Sequence, residues 1–200
     1  ARYPDGSVYE GQFVAGLPEG AGKIAFPDGR SYEGDWAGGK MTGKGRAVYV
    51  DGTVYEGAFL DGQHHGQGVL TDGRGYRYDG NWVGGKKEGK GKITWADGAV
   101  YEGDLKADER EGQGTLTMPD GLTYVGQWAD GQINGTGKLT QPSGDVYEGP
   151  FVEGLRQGEG KVTYATGEVY QGGFKADRRE GKGTFTAKDG TSYTGDWVAG

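Results

Sequence analysis

Tyr32-Glu33-Gly34-Asp35-Trp36-Ala37-Gly38-Gly39-Lys40-Met41-Thr42-Gly43-Lys44-Gly45 is the stretch that decides the fold, because the chain repeats its skeleton without insertion or deletion. With the tyrosine counted as offset 0, Tyr9, Tyr32, Tyr55, Tyr78, Tyr101, Tyr124, Tyr147, Tyr170 and Tyr193 recur at a spacing of 23. Offset +2 is glycine in all nine copies, and offset +4 is large and apolar: Phe13, Trp36, Phe59, Trp82, Leu105, Trp128, Phe151, Phe174 and Trp197. Glycine also fills +11, +13 and +20 in all eight complete repeats, as at Gly43, Gly45 and Gly52. A fixed period of this length marks a repeat architecture and outranks local propensity.

Within the period, offsets 0, +2, +4 and then +11, +13, +15, +17 alternate, which is the two-residue rhythm of strands. The segment from Trp36 to Gly43 has the length of a hairpin loop, and Pro27-Asp28-Gly29 or Pro119-Asp120-Gly121 reads as the return turn. Each repeat is therefore one β-hairpin. If +4 lies opposite +13, Trp36 covers Gly45, Gly34 faces Ala47, Tyr32 pairs with Tyr49, Asp35 meets Arg46 and Glu33 meets Val48. Seventeen or so strands then form an all-β, elongated, twisted, single-layer antiparallel β-meander of stacked 23-residue hairpins, about 80 Å long.

Composition competes with this reading and then supports it. The 45 glycines and 6 prolines make up a quarter of the 200 residues, the level at which aperiodic chains are disordered, but nearly every glycine is placed by the period. Hydrophobic residues are 33% and aromatics 12%, too many rings for a disordered chain. Cysteine is absent, which excludes disulfides, thiolate zinc sites and a cysteine nucleophile. The net charge of −7 disfavours nucleic acid as a partner. No run has the length of a membrane helix, and Ala1-Arg2-Tyr3-Pro4 is neither an initiator Met nor a secretory leader, so a soluble chain is expected. The domain reading is one continuous array over 1–200: 1–8 end a truncated repeat, 9–192 are eight complete repeats and 193–200 begin another. Both ends cut through a unit, which predicts that further repeats or a partner cover at least one of them.

The pattern Tyr-Glu-Gly-x-Trp-x-x-Gly-x-x-x-Gly-x-Gly, as at Tyr32-Glu33-Gly34-Asp35-Trp36 through Gly43-Lys44-Gly45, closely resembles the MORN repeat (membrane occupation and recognition nexus). The resemblance covers essentially the whole chain. It implies extended antiparallel sheets of stacked hairpins, and roles in protein binding, oligomerisation and lipid binding. Two departures stand out: Asp108 and Asp177 replace the loop glycine at +7, where aspartate tolerates the left-handed conformation, and Asp72 takes a position where a bulky residue often sits, which predicts local irregularity around Thr71–Tyr76.

The motifs that carry chemistry each have a structural reading. Gly38-x-x-x-x-Gly43-Lys44-Gly45 and Gly84-x-x-x-x-Gly89-Lys90-Gly91 nearly spell a phosphate-binding loop, but the hydroxyl residue is replaced by glycine and no helix follows. His64 and His65, with Asp61, could hold a metal ion only with further ligands. The +1 glutamates Glu33, Glu56 and Glu102 form a regular solvated row instead of a converging pair. The Asp-Gly turns at Asp28, Asp51, Asp97, Asp120 and Asp189 each offer one carboxylate, where calcium requires six to eight oxygens. No catalytic, metal or cofactor site is therefore assigned, and the chain is read as a non-enzymatic interaction scaffold. Its protein partners include further copies bound through open strand edges. Three candidate surfaces follow: a groove of rings (Trp36, Tyr55, Trp82, Tyr101, Trp128) that is mainly core but whose edges could receive a helix or extended peptide, a strip of apolar loop tips (Leu17, Met41, Ile133, Leu155) and a basic patch (Lys86, Lys87, Lys90, Lys92) suited to membrane phospholipid. The last makes an anionic-lipid tether the alternative, and a third reading has the array position an enzyme domain outside this chain.

Overall fold

The computed structural model describes residues 1–200 and contains eighteen strands and no helix, which is the expected all-β antiparallel meander. It divides into two compact units, Ala1–Asp97 with Leu105–Asp108, and Gly98–Asp104 with Glu109–Gly200. The first holds β1 (Val8–Val14), β2 (Leu17–Ala25), β3 (Ser31–Ala37), β4 (Lys40–Val48), β5 (Val54–Leu60), β6 (Gln63–Thr71), β7 (Arg77–Val83) and β8 (Lys86–Thr94). β9 (Val100–Lys106) contributes residues to both. The second holds β10 (Glu109–Thr117), β11 (Thr123–Ala129), β12 (Gln132–Thr140), β13 (Val146–Val152), β14 (Leu155–Arg156), β15 (Gly158–Thr163), β16 (Val169–Lys175), β17 (Arg178–Thr186) and β18 (Ser192–Trp197).

In the first unit each strand pairs antiparallel with the next, and the glycines fall opposite one another: Gly11 with Gly22, Gly22 with Gly34, Gly34 with Gly45, and so on to Gly80 with Gly91. The second unit repeats this from Gly114 with Gly126 to Gly183 with Gly195. This corrects the expected register. Tyr32 lies opposite Ala47, Gly34 opposite Gly45 and Glu33 opposite Arg46, while Trp36 lies opposite Met41. The cause is a bulge in which Thr42, Gly43 and Lys44 face the single residue Asp35, Gly43 taking a φ of 63° that favours glycine. Asp35 does not meet Arg46; its carboxylate accepts the Lys44 N–H at 3.1 Å, a backbone donor within the bulge. Arg46 instead reaches Glu56 of the following repeat at 2.8 Å.

The glycine pairs make room for the tyrosines. A Cβ on Gly45 would stand 2.5 Å from Tyr32 Oη, and one on Gly11 would stand 2.6 Å from the Gly22 Cα. Each ring lies along its own strand over these two glycines, and its hydroxyl donates to the carbonyl three residues on: Tyr32 to Asp35 at 2.8 Å, Tyr55 to Ala58 at 2.7 Å, Tyr124 to Gln127 at 2.8 Å. Tyr9, Tyr32, Tyr55, Tyr124, Tyr147 and Tyr170 each also meet two +4 rings edge to face, their own and that of the next repeat, as Tyr32 does with Trp36 at 5.2 Å and Phe59 at 5.0 Å, whereas Leu105 leaves Tyr78 and Tyr101 with one ring each. Such pairs contribute about 0.5–1.5 kcal/mol beyond their buried area. The tryptophans add a second link, Trp36 Nε1 donating to Gly22 O at 3.1 Å and Trp128 Nε1 to Gly114 O at 3.1 Å, each in the preceding repeat.

The hairpin tips are tied in the same way. The +7 N–H donates to the +9 carbonyl one repeat back, as in Gly62 to Met41 at 2.8 Å and Gly154 to Ile133 at 2.9 Å. Asp108 and Asp177 keep the left-handed conformation at φ 76° and 68°. They also add a bond that glycine cannot, their carboxylates accepting the N–H of Lys87 at 2.9 Å and of Arg156 at 2.8 Å. The expected irregularity appears at Asp72, which accepts from the N–H groups of Arg74 and Tyr76 and so closes its own turn.

Three outcomes follow. Gly45→Ala is expected to destabilise by about 2–3 kcal/mol through overpacking, and Tyr32→Phe by about 1 kcal/mol through the lost hydrogen bond. In urea unfolding the double variant should cost less than the sum, because both changes act at one contact. Ala15 and Gly16 both have positive φ, 50° and 81°, the type I′ geometry that suits Asn-Gly; Ala15→Asn should gain about 0.5–1 kcal/mol in the same assay. Burial pushes the phenols of Tyr32, Tyr55, Tyr101, Tyr124 and Tyr147 up to about 12. Their raised folded values mean that stability is fully present below pH 10 and falls as pH rises towards 12, because the unfolded chain gives up its phenolic protons first. Absorbance titration at 295 nm should therefore show most phenols ionising only together with loss of the β-sheet signal.

Candidate functional site

The two faces of the sheet differ in chemistry. On one face of the first unit, +1 and +14 side chains alternate in sign from β2 to β5, in Lys23, Glu33, Arg46 and Glu56, with Lys23 and Glu33 4.0 Å apart, and Val69 ends the run. This row neutralises itself, and such exposed pairs contribute only about 0.2–1 kcal/mol each. The opposite face carries the rings.

The expected ring groove is filled. Trp36, Tyr55, Trp82, Tyr101 and Trp128 are all buried, with relative exposures of 8%, 0%, 4%, 0% and 4%. They are core, and what meets a partner on this face is the layer above and beside them. One part of that layer is offset +9: Met41, His64, Lys87, Arg110, Ile133, Arg156 and Arg179 are half-buried against the rings. Arg110 stands 4.4 Å over Trp128 and donates to Gly131 O at 2.7 Å, and Arg179 stands 4.3 Å over Trp197. Cation–π contacts of this kind are worth about 0.5–2 kcal/mol. Burial holds the Arg110 guanidinium below its ordinary value.

The loop-tip strip separates into two positions. Met41 and Ile133 belong to +9 and lean on the ring face, whereas Leu17 and Leu155 belong to +8, opposite Val14 and Val152, and are exposed. The basic patch divides too: Lys87 turns to the ring face, where its ammonium donates to Tyr76 Oη at 2.9 Å. Lys86, Lys90 and Lys92 remain exposed.

Adjacent positions on a strand send His64 and His65 to opposite faces. His64 stacks on Tyr55 at 3.6 Å and 7°, and shares a 2.6 Å hydrogen bond with Tyr49 Oη. Asp61 is engaged with Lys40 at 3.3 Å. The turn carboxylates serve their own turns, Asp28 accepting from Arg30 N and Asp51 from Thr53 N. The phosphate-loop look-alikes fall on hairpin turns and strands.

The other part of the layer is a margin beside the Asp-Gly turns. In the first unit it carries Phe26, Tyr49, Tyr76 and Trp95, all half-buried. Tyr76 stands in for the ring that Asp72 lacks: Tyr49 bonds the +9 His64 of the next repeat, and Tyr76 bonds Lys87 in the same relation. A shallow open depression of about 500 Å³ lies at this margin, lined by Arg30, Tyr49, Val50, Asp51, Thr53 and Leu70. The second unit has an equivalent one of about 380 Å³, lined by Tyr164, Thr166, Glu168, Arg179 and Phe185. Sequence reading placed Met41 and Ile133 in one candidate surface and Lys87 in another without recognising +9 as a single row, although that offset is never acidic in a chain of net charge −7.

Burial lowers the His64 imidazole to about 4. An unfolded histidine titrates near 6.5, so stability is expected to fall by about 1–3 kcal/mol as pH drops from 6.5 to 4, where the unfolded state binds the proton first. His64→Gln should lose that dependence in urea unfolding across this window.

The family model for the MORN repeat matches residues 9–29, 32–54, 55–75, 78–100, 101–123, 124–146, 147–169 and 170–192. No curated protein matches the chain. Among solved structures, the wild-type TCP10 domain of Danio rerio CPAP is 14% identical, with 98% of this chain and 92% of that one covered and a TM-score of 0.53. The G-box domain of the microcephaly protein CPAP is 16% identical, with 99% and 97% covered and a TM-score of 0.51. A complex of the Danio rerio TCP10 domain with a peptide of Danio rerio STIL is 13% identical, with 96% and 99% covered and a TM-score of 0.27, too distant a superposition to place a ligand on this chain. These likenesses concern the fold.

Proposed function

The chain belongs to the MORN repeat family, and from that premise we propose that it is a non-enzymatic scaffold that binds protein partners along the ring face. The observation that carries the reading is the half-exposed apolar layer at the margin of that face, with its open depression of about 500 Å³ between Tyr49 and Leu70. Contiguous apolar surface of this kind marks interaction sites. The reactive side chains have structural duties instead: His64 is stacked on Tyr55, Asp61 is paired with Lys40, and the turn carboxylates hold backbone N–H groups.

The lipid tether has less support. Lys87 is withdrawn to Tyr76, and the three lysines left on the surface share their strand with Glu88.

Proximity labelling in the native cell, followed by binding assays with purified partners, tests the reading. Leu70→Ser is expected to weaken partner binding at least tenfold, while Lys92→Ala leaves it unchanged. Equal affinity for both variants and wild type would overturn the ring-face assignment. Salt-sensitive sedimentation with phosphatidylserine vesicles, lost on replacing Lys86, Lys90 and Lys92, would establish the tether in its place.

A further inference from the structure

In the second unit the face away from the rings carries an open depression of about 490 Å³, lined by Glu159, Gln171, Lys182, Thr184 and Thr194 over the backbone of Gly172 and Gly183. The ladder fixes their places. Gln171 lies opposite Thr184, and Thr184 opposite Thr194, in one row across β16, β17 and β18. One step nearer the hairpin tips, Glu159 lies opposite Gly173, which in turn faces the bulge that ends in Lys182. Part of the space follows from glycine at offset +3. In other repeats that offset carries Asp35, Asp104 or Gln127, each accepting the +12 N–H. Gly173 puts no side chain there, and Glu159 leans over it, its Oε1 3.7 Å from where a Cβ would stand.

The lining selects what the depression can hold. No ring or aliphatic side chain is part of it, so an apolar ligand has little surface to bury. One carboxylate and one ammonium border it, which matches neither a simple anion nor a simple cation. Nor are the two charges spent elsewhere: Glu159 and Lys182 form no ion pair, whereas Lys23 with Glu33, Arg46 with Glu56 and Arg156 with Asp177 do. The neighbouring charges, Lys161 opposite Gln171 and Asp196 opposite Lys182, are one of each sign. Glu159 and Lys182 belong to strands two spacings apart, about 9.5 Å. A molecule that carries an ammonium and a carboxylate on one carbon spans that gap with a charge-assisted hydrogen bond at each end. The Thr184 and Thr194 hydroxyls share one hydrogen bond at 2.9 Å, which leaves a hydroxyl hydrogen and the Gln171 amide for a polar side chain.

We propose that this depression binds a small zwitterion of the α-amino-acid type, its ammonium on Glu159, its carboxylate on Lys182 and a hydrogen-bonding side chain on Gln171 and the threonine pair. The site lies on the opposite face from the partner surface and stands independently of the scaffold reading.

The test is titration of the whole chain with L-glutamine, followed by NMR through the amide signals of Gly172, Gly183, Thr184 and Thr194. Saturable shifts confined to this part of the sheet are expected. Binding should weaken at least about tenfold with N-acetyl-L-glutamine, which lacks the ammonium, and with L-glutaminamide, which lacks the carboxylate. Glu159→Gln and Lys182→Gln should each cost as much, while Glu56→Gln, which changes an exposed acid of the first unit, binds as wild type does. The variant spectra show whether the sheet is intact, and the analogue arms decide where a variant does not fold. Glucose forms the parallel arm for a neutral polyol. The proposal is overturned by the absence of saturable shifts, by shifts that persist in both site variants, by equal affinity for L-glutamine and its two analogues, or by glucose binding in place of L-glutamine.

Discussion

The structure depends on one contact: a tyrosine ring lying flat over two glycines on neighbouring strands, with its hydroxyl on the carbonyl three residues ahead. The glycines cannot carry a Cβ because the ring occupies that space, and the ring stays in place because its hydroxyl is satisfied inside the fold. Register follows. A slip of one residue would put a side chain under the phenol and leave a buried hydroxyl without its acceptor, a penalty of about 1–3 kcal/mol for that group alone. The +4 rings then seat edge to face between successive tyrosines, with Leu105 in the one position that lacks a ring, so a repeat is gripped by the next through the same element that organises it.

This economy has a consequence for chemistry. A repeat that spends its tyrosine, its +4 side chain and, where they are polar, its +3 and +10 side chains on internal bonds leaves few functional groups uncommitted. Glu19, for example, holds Gly38 N–H at 2.8 Å, and Gln127 holds Thr136 N–H at 2.7 Å. What varies from repeat to repeat is the layer over the rings, where Met41, His64, Lys87 and Arg110 occupy equivalent sites with different properties. A scaffold can diversify its partners by changing such positions without disturbing the file beneath them.

Much of the fold was legible in the sequence because the same offsets recur in every copy. Tyr, Gly and Trp at 0, +2 and +4 announced a strand, and Pro-Asp-Gly announced its return. The register was not legible. The alternation at +11, +13, +15 and +17 continues smoothly through Gly43, and nothing in the letters shows that Thr42, Gly43 and Lys44 together face Asp35. The candidate site was read least well. The rings of the groove were read as mainly core with edges open to a partner, and they are buried; the half-buried rings beside them escaped the reading because Tyr76, the ring of the repeat that carries Asp72, stands off the period that guided it.

What the sequence determined by itself is the unit: a 23-residue hairpin, all-β, with glycines and rings at stated offsets, because period and turn chemistry are local properties of the chain. What only the tertiary structure decided is which face of each ring remains open and which side chain covers it. That depends on contacts such as Tyr49 with His64 and Tyr76 with Lys87, between residues 15 and 11 positions apart, whose pairing is set by the bulge and by the stacking of one hairpin on the next.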